Sequence, residues 1–224
     1  MPETSPALKW AVFQVGLLET NCYLAWDSES REAFVIDPGS PSKSLEAAIE
    51  ANGLHLIAII NTHGHSDHIG GNARLKKITG APVYLHPDDS AIAEDPRSNL
   101  SIRWGFPVKY PKMDRTLIPG EDIVLNKTEF KIWHTPGHTP GSICLVANDF
   151  IFTGDTLFAH SIGRTDLPGG NAQQMSESIK KFNAVKDNVA LFPGHGPLST
   201  FLKTRQQNPF LNALSDIVPE ESIQ

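Results

Sequence analysis

Leu56-Ile57-Ala58-Ile59-Ile60-Asn61-Thr62-His63-Gly64-His65-Ser66-Asp67-His68 passes without interruption from an apolar run into a turn dense in histidine and aspartate. Five successive apolar residues bounded by polar punctuation read as a strand buried on both faces. The turn itself has the spacing H-x-H-x-D-H, with a helix expected from about 68 to 79 and ended by Gly80. Ligand-type side chains at the rim of a buried strand sit on a rigid scaffold yet face open space.

The same arrangement recurs further along the chain. His138 lies in Thr135-Pro136-Gly137-His138-Thr139-Pro140-Gly141, after a strand ending at Trp133. Asp155 lies in Thr153-Gly154-Asp155-Thr156 after the run Phe150 to Phe152, and His195 lies in Pro193-Gly194-His195-Gly196-Pro197 after Val189 to Phe192. Glycine in each turn lets backbone approach closely. Strand ends can converge on one sheet edge, so His63, His65, Asp67, His68, His138, Asp155 and His195 form one expected cluster.

Around these turns, apolar runs at 10–15, 21–26, 33–36, 82–86, 123–125, 129–133 and 143–147 read as further strands. Helices are expected at 42–52, at about 172–186 with Met175, Ile179 and Phe182 on one face, and at 199–207. Strands grouped with helices after them, twice over, predict an α/β architecture of two β-rich halves packed sheet to sheet with helices outside. One domain over 1–224 is expected, with its core at about 10–210 and a frayed tail from about 211. Residues 95–118, with Trp104, Phe106 and Tyr110, read either as a pocket wall or as a packed connection, the second being preferred.

Composition narrows the function. With 25 acidic and 19 basic residues the net charge is −6, and the pI is about 5.8. A dedicated nucleic-acid surface usually needs a basic patch, and no basic stretch exists. No apolar run approaches the ~18 residues of a membrane span. The segment Met1-Pro2-Glu3-Thr4-Ser5-Pro6 lacks the basic and apolar regions of a secretory leader. Cys22 and Cys144 read as buried strand residues, too few for a disulfide framework. A soluble cytoplasmic protein acting on a small molecule, with neither nucleic acid nor membrane as partner, is expected.

Imidazole and carboxylate donors favour zinc, iron or manganese over calcium or magnesium. Seven ligands exceed one tetrahedral ion but suit two divalent ions, zinc first, sharing a carboxylate. Two ions ~3.5–4 Å apart can lower the pKa of a shared water towards ~7, which is hydrolytic chemistry. His55, His86, His134 and His160 fit no ligand pattern. His134 lies beside the His138 turn, and Asp37, in a Pro-Gly turn, is either a turn residue or a partner that orients a ligand histidine.

Thr62-His63-Gly64-His65-Ser66-Asp67-His68, His138, Gly154-Asp155-Thr156 and Pro193-Gly194-His195 together resemble the motifs of the metallo-β-lactamase superfamily over about residues 10–210. The resemblance implies an αβ/βα four-layer sandwich. It also implies His63, His65 and His138 at a first metal, Asp67, His68 and His195 at a second, and Asp155 between them. The best-known β-lactamases carry cysteine where this chain has Asp155, which argues against antibiotic hydrolysis.

Within the superfamily, Gly154-Asp155-Thr156-Leu157-Phe158, the segment Ser161 to Asp166, His195-Gly196-Pro197 and Asn208-Pro209-Phe210 resemble the glyoxalase II group, closest to its short bacterial members. That group implies hydrolysis of S-D-lactoylglutathione or a related hydroxyacyl-glutathione thioester. The implied steps are hydroxide attack on the carbonyl, departure of thiolate near the second metal, and Asp67 both binding metal and handling protons. Longer members hold glutathione through a C-terminal helical domain that this chain is too short to supply. Arg164 is then the candidate for a substrate carboxylate, against the alternative that it merely pairs with Asp166.

Persulfide dioxygenases share a Gly-Arg-Thr-Asp segment like 163–166 and use one iron at the equivalents of His63, His138 and Asp155. They are the main rival. The run Ile162 to Gly170 is nearer to the short glyoxalase group. A nuclease of the same superfamily is disfavoured by the acidic pI, and a non-catalytic scaffold by the presence of all seven ligand-type residues.

Overall fold

β1 (Leu8–Val15) and β2 (Thr20–Asp27) form a hairpin in which Leu8 faces Asp27 and Val15 faces Thr20. β3 (Glu32–Ile36) adds antiparallel to β2. α1 (Lys43–Ala51), its first turn capped by the Ser42 hydroxyl on Leu45 N–H, then carries the chain back to β4 (His55–Ile60), parallel to β3. These elements belong to a computed structural model that describes residues 8–211 apart from 106, 109 and 148. α2 (Ser66–Ile69) and α3 (Asn72–Thr79) come next, then β5 (Val83–Leu85), α4 (Ser90–Glu94) and β6 (Arg115–Thr116). The first sheet therefore runs β1-β2-β3-β4-β5-β6.

The second half contributes β7 (Ile123–Leu125), β8 (Thr128–His134), β9 (Ile143–Val146), β10 (Phe150–Gly154), α5 (Ala172–Lys180), β11 (Ala190–Pro193), β12 (Ser199–Thr200) and α6 (Phe201–Gln207). Its sheet is ordered β12-β11-β10-β9-β8-β7, with β10 and β11 parallel.

Alternation along the strands builds the layers. Tyr23, Phe34, Ile36, Ala58 and Ile60 of the first sheet meet Phe130, Ile132, Leu145, Phe152 and Phe192 of the second in one buried cluster. Ring pairs Tyr23–Phe152 at 5.0 Å and Phe34–Phe130 at 5.5 Å, both edge-on, lock this interface. The opposite faces are covered by helices. Leu45, Ile49 and Leu75 pack on Leu24, Val35 and Ile59, while Met175, Ile179 and Phe201 pack on Cys144, Ile151 and Leu191. The expected αβ/βα sandwich is thus observed, and both cysteines are free and buried as expected.

The helix expected over 68–79 is instead two pieces. Gly70 and Gly71 separate them because the chain there presses against residues 38–40, with Gly71 N–H donating to Pro38 C=O at 2.6 Å; a side chain at either glycine would collide with that backbone. The helix expected from 199 starts at Phe201, since Ser199 and Thr200 first pair with β11 and the Thr200 hydroxyl caps Lys203 N–H. α4 was not expected. The tail expected to fray lies, beyond Leu211, outside the described residues. No helix among the described residues is long and apolar enough to cross a membrane.

Candidate metal centre

Each histidine or aspartate of the expected cluster sits just past the carboxyl end of a strand. β4 leads to His63 and His65 and, through the start of α2, to Asp67 and His68; β8, β10 and β11 lead to His138, Asp155 and His195. Ligand sites form at such ends in open α/β sheets. The turns are pinned to one another, both between the sheets and within the second sheet. Ile143 N–H donates to Thr62 C=O at 2.9 Å, and Gly194 N–H to Gly154 C=O at 2.8 Å. Pro193 C=O accepts from Asn21 Nδ2 and from the Tyr23 hydroxyl, at 3.0 and 2.7 Å, so β2 of the first sheet fixes the turn carrying His195.

All seven side chains come together. Donor atoms of His63, His65 and His138 lie within 4.8 Å of one another, as do those of Asp67, His68 and His195, and those of His63, His68 and Asp155. His65 Nδ1 is 2.9 Å from His138 Nε2, and His68 Nε2 is 3.3 Å from His195 Nε2. Asp155 lies between the two sets, 3.4 Å from His68 Nε2 and 3.6 Å from both His138 Nε2 and His195 Nε2. Gly194 has to be glycine here, because a Cβ would run into the Asp155 carboxylate and the His68 ring.

The donor set suits metal. His63 Nε2, His65 Nε2 and Asp155 Oδ1 are buried without a hydrogen-bond partner, which is costly unless something else satisfies them. Burial holds His63 far below the usual imidazole pKa and takes His65 to about 3, with neighbouring imidazoles adding to the effect, so both rings are neutral at pH 7. His68 goes the other way. Burial opposes its charge, but Asp67, Asp155 and Asp37 outweigh that and raise its pKa well above the ordinary value. Burial likewise opposes charge on Asp67, yet His68 and His195 keep its carboxyl well below the carboxylate range.

The other ring nitrogens are tied down. His138 Nδ1 donates to Arg164 C=O at 2.8 Å and His195 Nδ1 to Leu18 C=O at 3.1 Å; His68 Nδ1, buried without an aligned hydrogen bond, is paired by charge with Asp37 Oδ2 at 3.0 Å. Such partners set the tautomer and aim the free nitrogen. Asp37 is therefore an orienting residue, held at φ +50°.

Asp89 gave no signal in the sequence. It is fully buried and accepts from Gly64 N–H, Gly141 N–H and the Thr139 hydroxyl at 2.6–2.7 Å, lacing the His63–His65 turn to the His138 turn. Burial raises its pKa. Nothing in His86-Pro87-Asp88-Asp89 distinguishes it from its exposed neighbour Asp88. His134 stacks on His86 at 4.2 Å and bonds Pro140 C=O through Nε2, buttressing the His138 turn. The guanidinium of Arg164 is engaged by Asp166 in a two-pronged pair at 2.7 Å and is open to solvent.

The preferred reading of residues 95–118 is corrected in part. Ser101, Trp104, Pro107 and Val108 line a cavity of about 560 Å³ that also touches Asp67, so this stretch is a pocket wall. Tyr110 packs partly buried against the helix-covered face of the first sheet, and Phe106 lies outside the described residues.

Known proteins share this arrangement. Residues 15–195 match the family model described as the metallo-beta-lactamase superfamily. The hydroxyacylglutathione hydrolase GloC of Haemophilus influenzae is 34% identical over 209 residues, covering 91% of this chain and 98% of its own length. Among solved structures, BLEG-1, a B3 metallo-β-lactamase, superposes with a TM-score of 0.85 at 35% identity, covering 91% of this chain and 99% of that one. TTHA1623 in a di-iron-bound form superposes with a TM-score of 0.79 at 34% identity, covering 90% and 100%.

Proposed function

Because the chain belongs to the metallo-β-lactamase superfamily, a group of metal-binding hydrolase-type proteins, we propose that it is a metal-dependent thioester hydrolase acting on S-D-lactoylglutathione or a related hydroxyacyl-glutathione. The observation that carries this reading is the position of Asp155, 3.4–3.6 Å from histidines of both ligand sets. A carboxylate so placed suits a pair of ions rather than one. Similarity to GloC supports the choice of thioester.

In this reading His63, His65 and His138 would hold one divalent ion, Asp67, His68 and His195 would hold another, and Asp155 would be available to both. Zinc, iron and manganese all match the donors, and the di-iron form of TTHA1623 is one precedent among similar chains. Bound metals supply Lewis acidity and lower the pKa of water, which suits attack on a carbonyl. The chain supplies the rest. His68 and His195 keep their Nε2 atoms aimed inward through Asp37 and Leu18, and the Asp67 carboxylate, 3.1 Å from His195 Nε2, is placed to take and return a proton. Arg164 can meet a substrate carboxylate only by exchanging Asp166; because that pair is solvent-exposed, the exchange is cheap.

A mononuclear persulfide dioxygenase would need only His63, His138 and Asp155, leaving His65, Asp67, His68 and His195 without a purpose. The Asp155 carboxylate also argues against the cysteine-bearing β-lactamases. Thiol release from S-D-lactoylglutathione, set beside oxygen uptake with glutathione persulfide and ring opening of a chromogenic β-lactam, decides among these. Thiol release abolished by His63→Ala is expected; oxygen uptake or ring opening without thiol release would overturn the reading.

A further inference from the structure

The cavity beside Asp67 is lined mainly by apolar side chains, with Ser40, Ser66 and Ser101 adding hydroxyls. Leu17 and Leu18 at the β1–β2 turn, Pro41 after β3, Ala73 on α3, and Trp104, Pro107 and Val108 form its walls. At about 560 Å³ it falls in the ~300–1,000 Å³ range of pockets that take drug-sized ligands, far more than a lactoyl group fills. Asp67 is the one charged side chain among its described lining residues, and it is negative. Neither Arg103 nor Arg164 lines it. Among the described lining residues, the two carboxylates of a glutathione arm would find no cation.

Its mouth is also apolar. Leu17 is 79% exposed, Leu18 39% and Trp104 45%, so three large apolar side chains that line the cavity also stand in water at its opening. Exposed apolar groups clustered in this way mark a binding surface rather than ordinary scatter. The turn at 16–19 is coupled to the metal centre, since Leu18 C=O accepts from His195 Nδ1.

We propose that this cavity seats an apolar, uncharged arm of the substrate, so that the preferred thioesters carry an alkyl or aryl group larger than lactoyl. The inference deepens the thioester-hydrolase reading and rests on it for the reaction. Either the acyl side or the thiol side of the scissile bond can supply such a group, and one experiment separates them. Metal-loaded protein is assayed with S-acylglutathiones from acetyl to octanoyl, and with acetyl thioesters of ethanethiol through octanethiol. In one series kcat/KM rises with chain length, by up to about fourfold per methylene at full burial. Trp104→Ala and Leu17→Asn each flatten that slope, chiefly through KM. Two flat series, or a slope that both variants leave unchanged, would overturn the proposal.

A second readout needs no turnover. S-hexylglutathione, a thioether that cannot be hydrolysed, should bind at least about tenfold more tightly than S-methylglutathione by calorimetry. Trp104→Ala should shrink that advantage. Equal affinities would sink the cavity assignment even if thioesters are cleaved. A preserved advantage with no thioester cleaved would uphold the cavity and remove the reaction assigned to it.

Discussion

Asp37 Oδ2 lies 3.0 Å from His68 Nδ1, and the same carboxylate accepts from the Thr62 N–H at 2.7 Å and the Thr62 hydroxyl at 2.6 Å. The Thr62 hydroxyl is in turn 3.2 Å from His63 Nδ1. One buried carboxylate at the end of β3 thus governs the orientation of a histidine in each ligand set. It does so from a left-handed backbone conformation that aspartate tolerates better than most residues.

Asp37→Asn keeps the shape and the left-handed backbone but removes the charge facing His68. Metal affinity, measured by competition with a chromophoric chelator, should fall about 10- to 100-fold, the usual cost of losing a partner that orients a ligand. Unchanged affinity would show that His68 needs no such partner.

Metal uptake should release protons. Asp67, Asp155 and Asp37 raise His68 above its ordinary pKa against the effect of burial, so at pH 7 the metal-free chain holds a proton there that a bound ion must displace. His63 and His65, already neutral, contribute none. Apparent affinity should therefore climb as pH rises towards and through the pKa of His68. Calorimetry in buffers of different ionisation enthalpy should find proton release at pH 7; none would contradict the electrostatics described.

Asp67→Ala removes a carboxylate 3.1 Å from His195 Nε2 and 3.4 Å from His68 Nε2. Turnover should be lost while far-ultraviolet circular dichroism stays native, since Asp67 supports no core packing. A rate near that of the unaltered protein would remove Asp67 from the chemistry.

Asp89→Ala strands two buried donors, the N–H groups of Gly64 and Gly141, while the Thr139 hydroxyl keeps Ser142 Oγ at 2.7 Å as a partner. At about 1–3 kcal/mol for each unsatisfied group, a loss of about 2 kcal/mol or more is expected in urea unfolding. A change below about 0.5 kcal/mol, the range of an ordinary surface substitution, would mean that the lacing of the two turns is dispensable.

What the sequence made legible was whatever local pattern controls. Leu56 to Ile60 announced β4 because continuous apolar character marks a doubly buried strand, and the turns holding His63, His138, Asp155 and His195 stood out by residue type. Asp37 was legible only as one of two alternatives, since its geometry depends on His68 and Thr62, distant in sequence. Asp89 was not legible at all: its worth lies in reaching Gly64 and Gly141 across the sandwich, and its neighbour Asp88 carries the same side chain. The break at Gly70-Gly71 was missed because helical periodicity runs on through it, while tertiary contact with residues 38–40 interrupts the helix. Trp104 reads from sequence more readily as part of a packed connection than as a pocket wall, because only the fold brings it to the cavity that Leu17 and Leu18 also line.

The seven-ligand centre is tested most directly by titrating metal-free protein with zinc, iron or manganese while following thiol release from S-D-lactoylglutathione. Activity should rise until two equivalents per chain are bound and then level off. A plateau at one equivalent, or hydrolysis that survives complete removal of metal, would contradict a paired site bridged by Asp155.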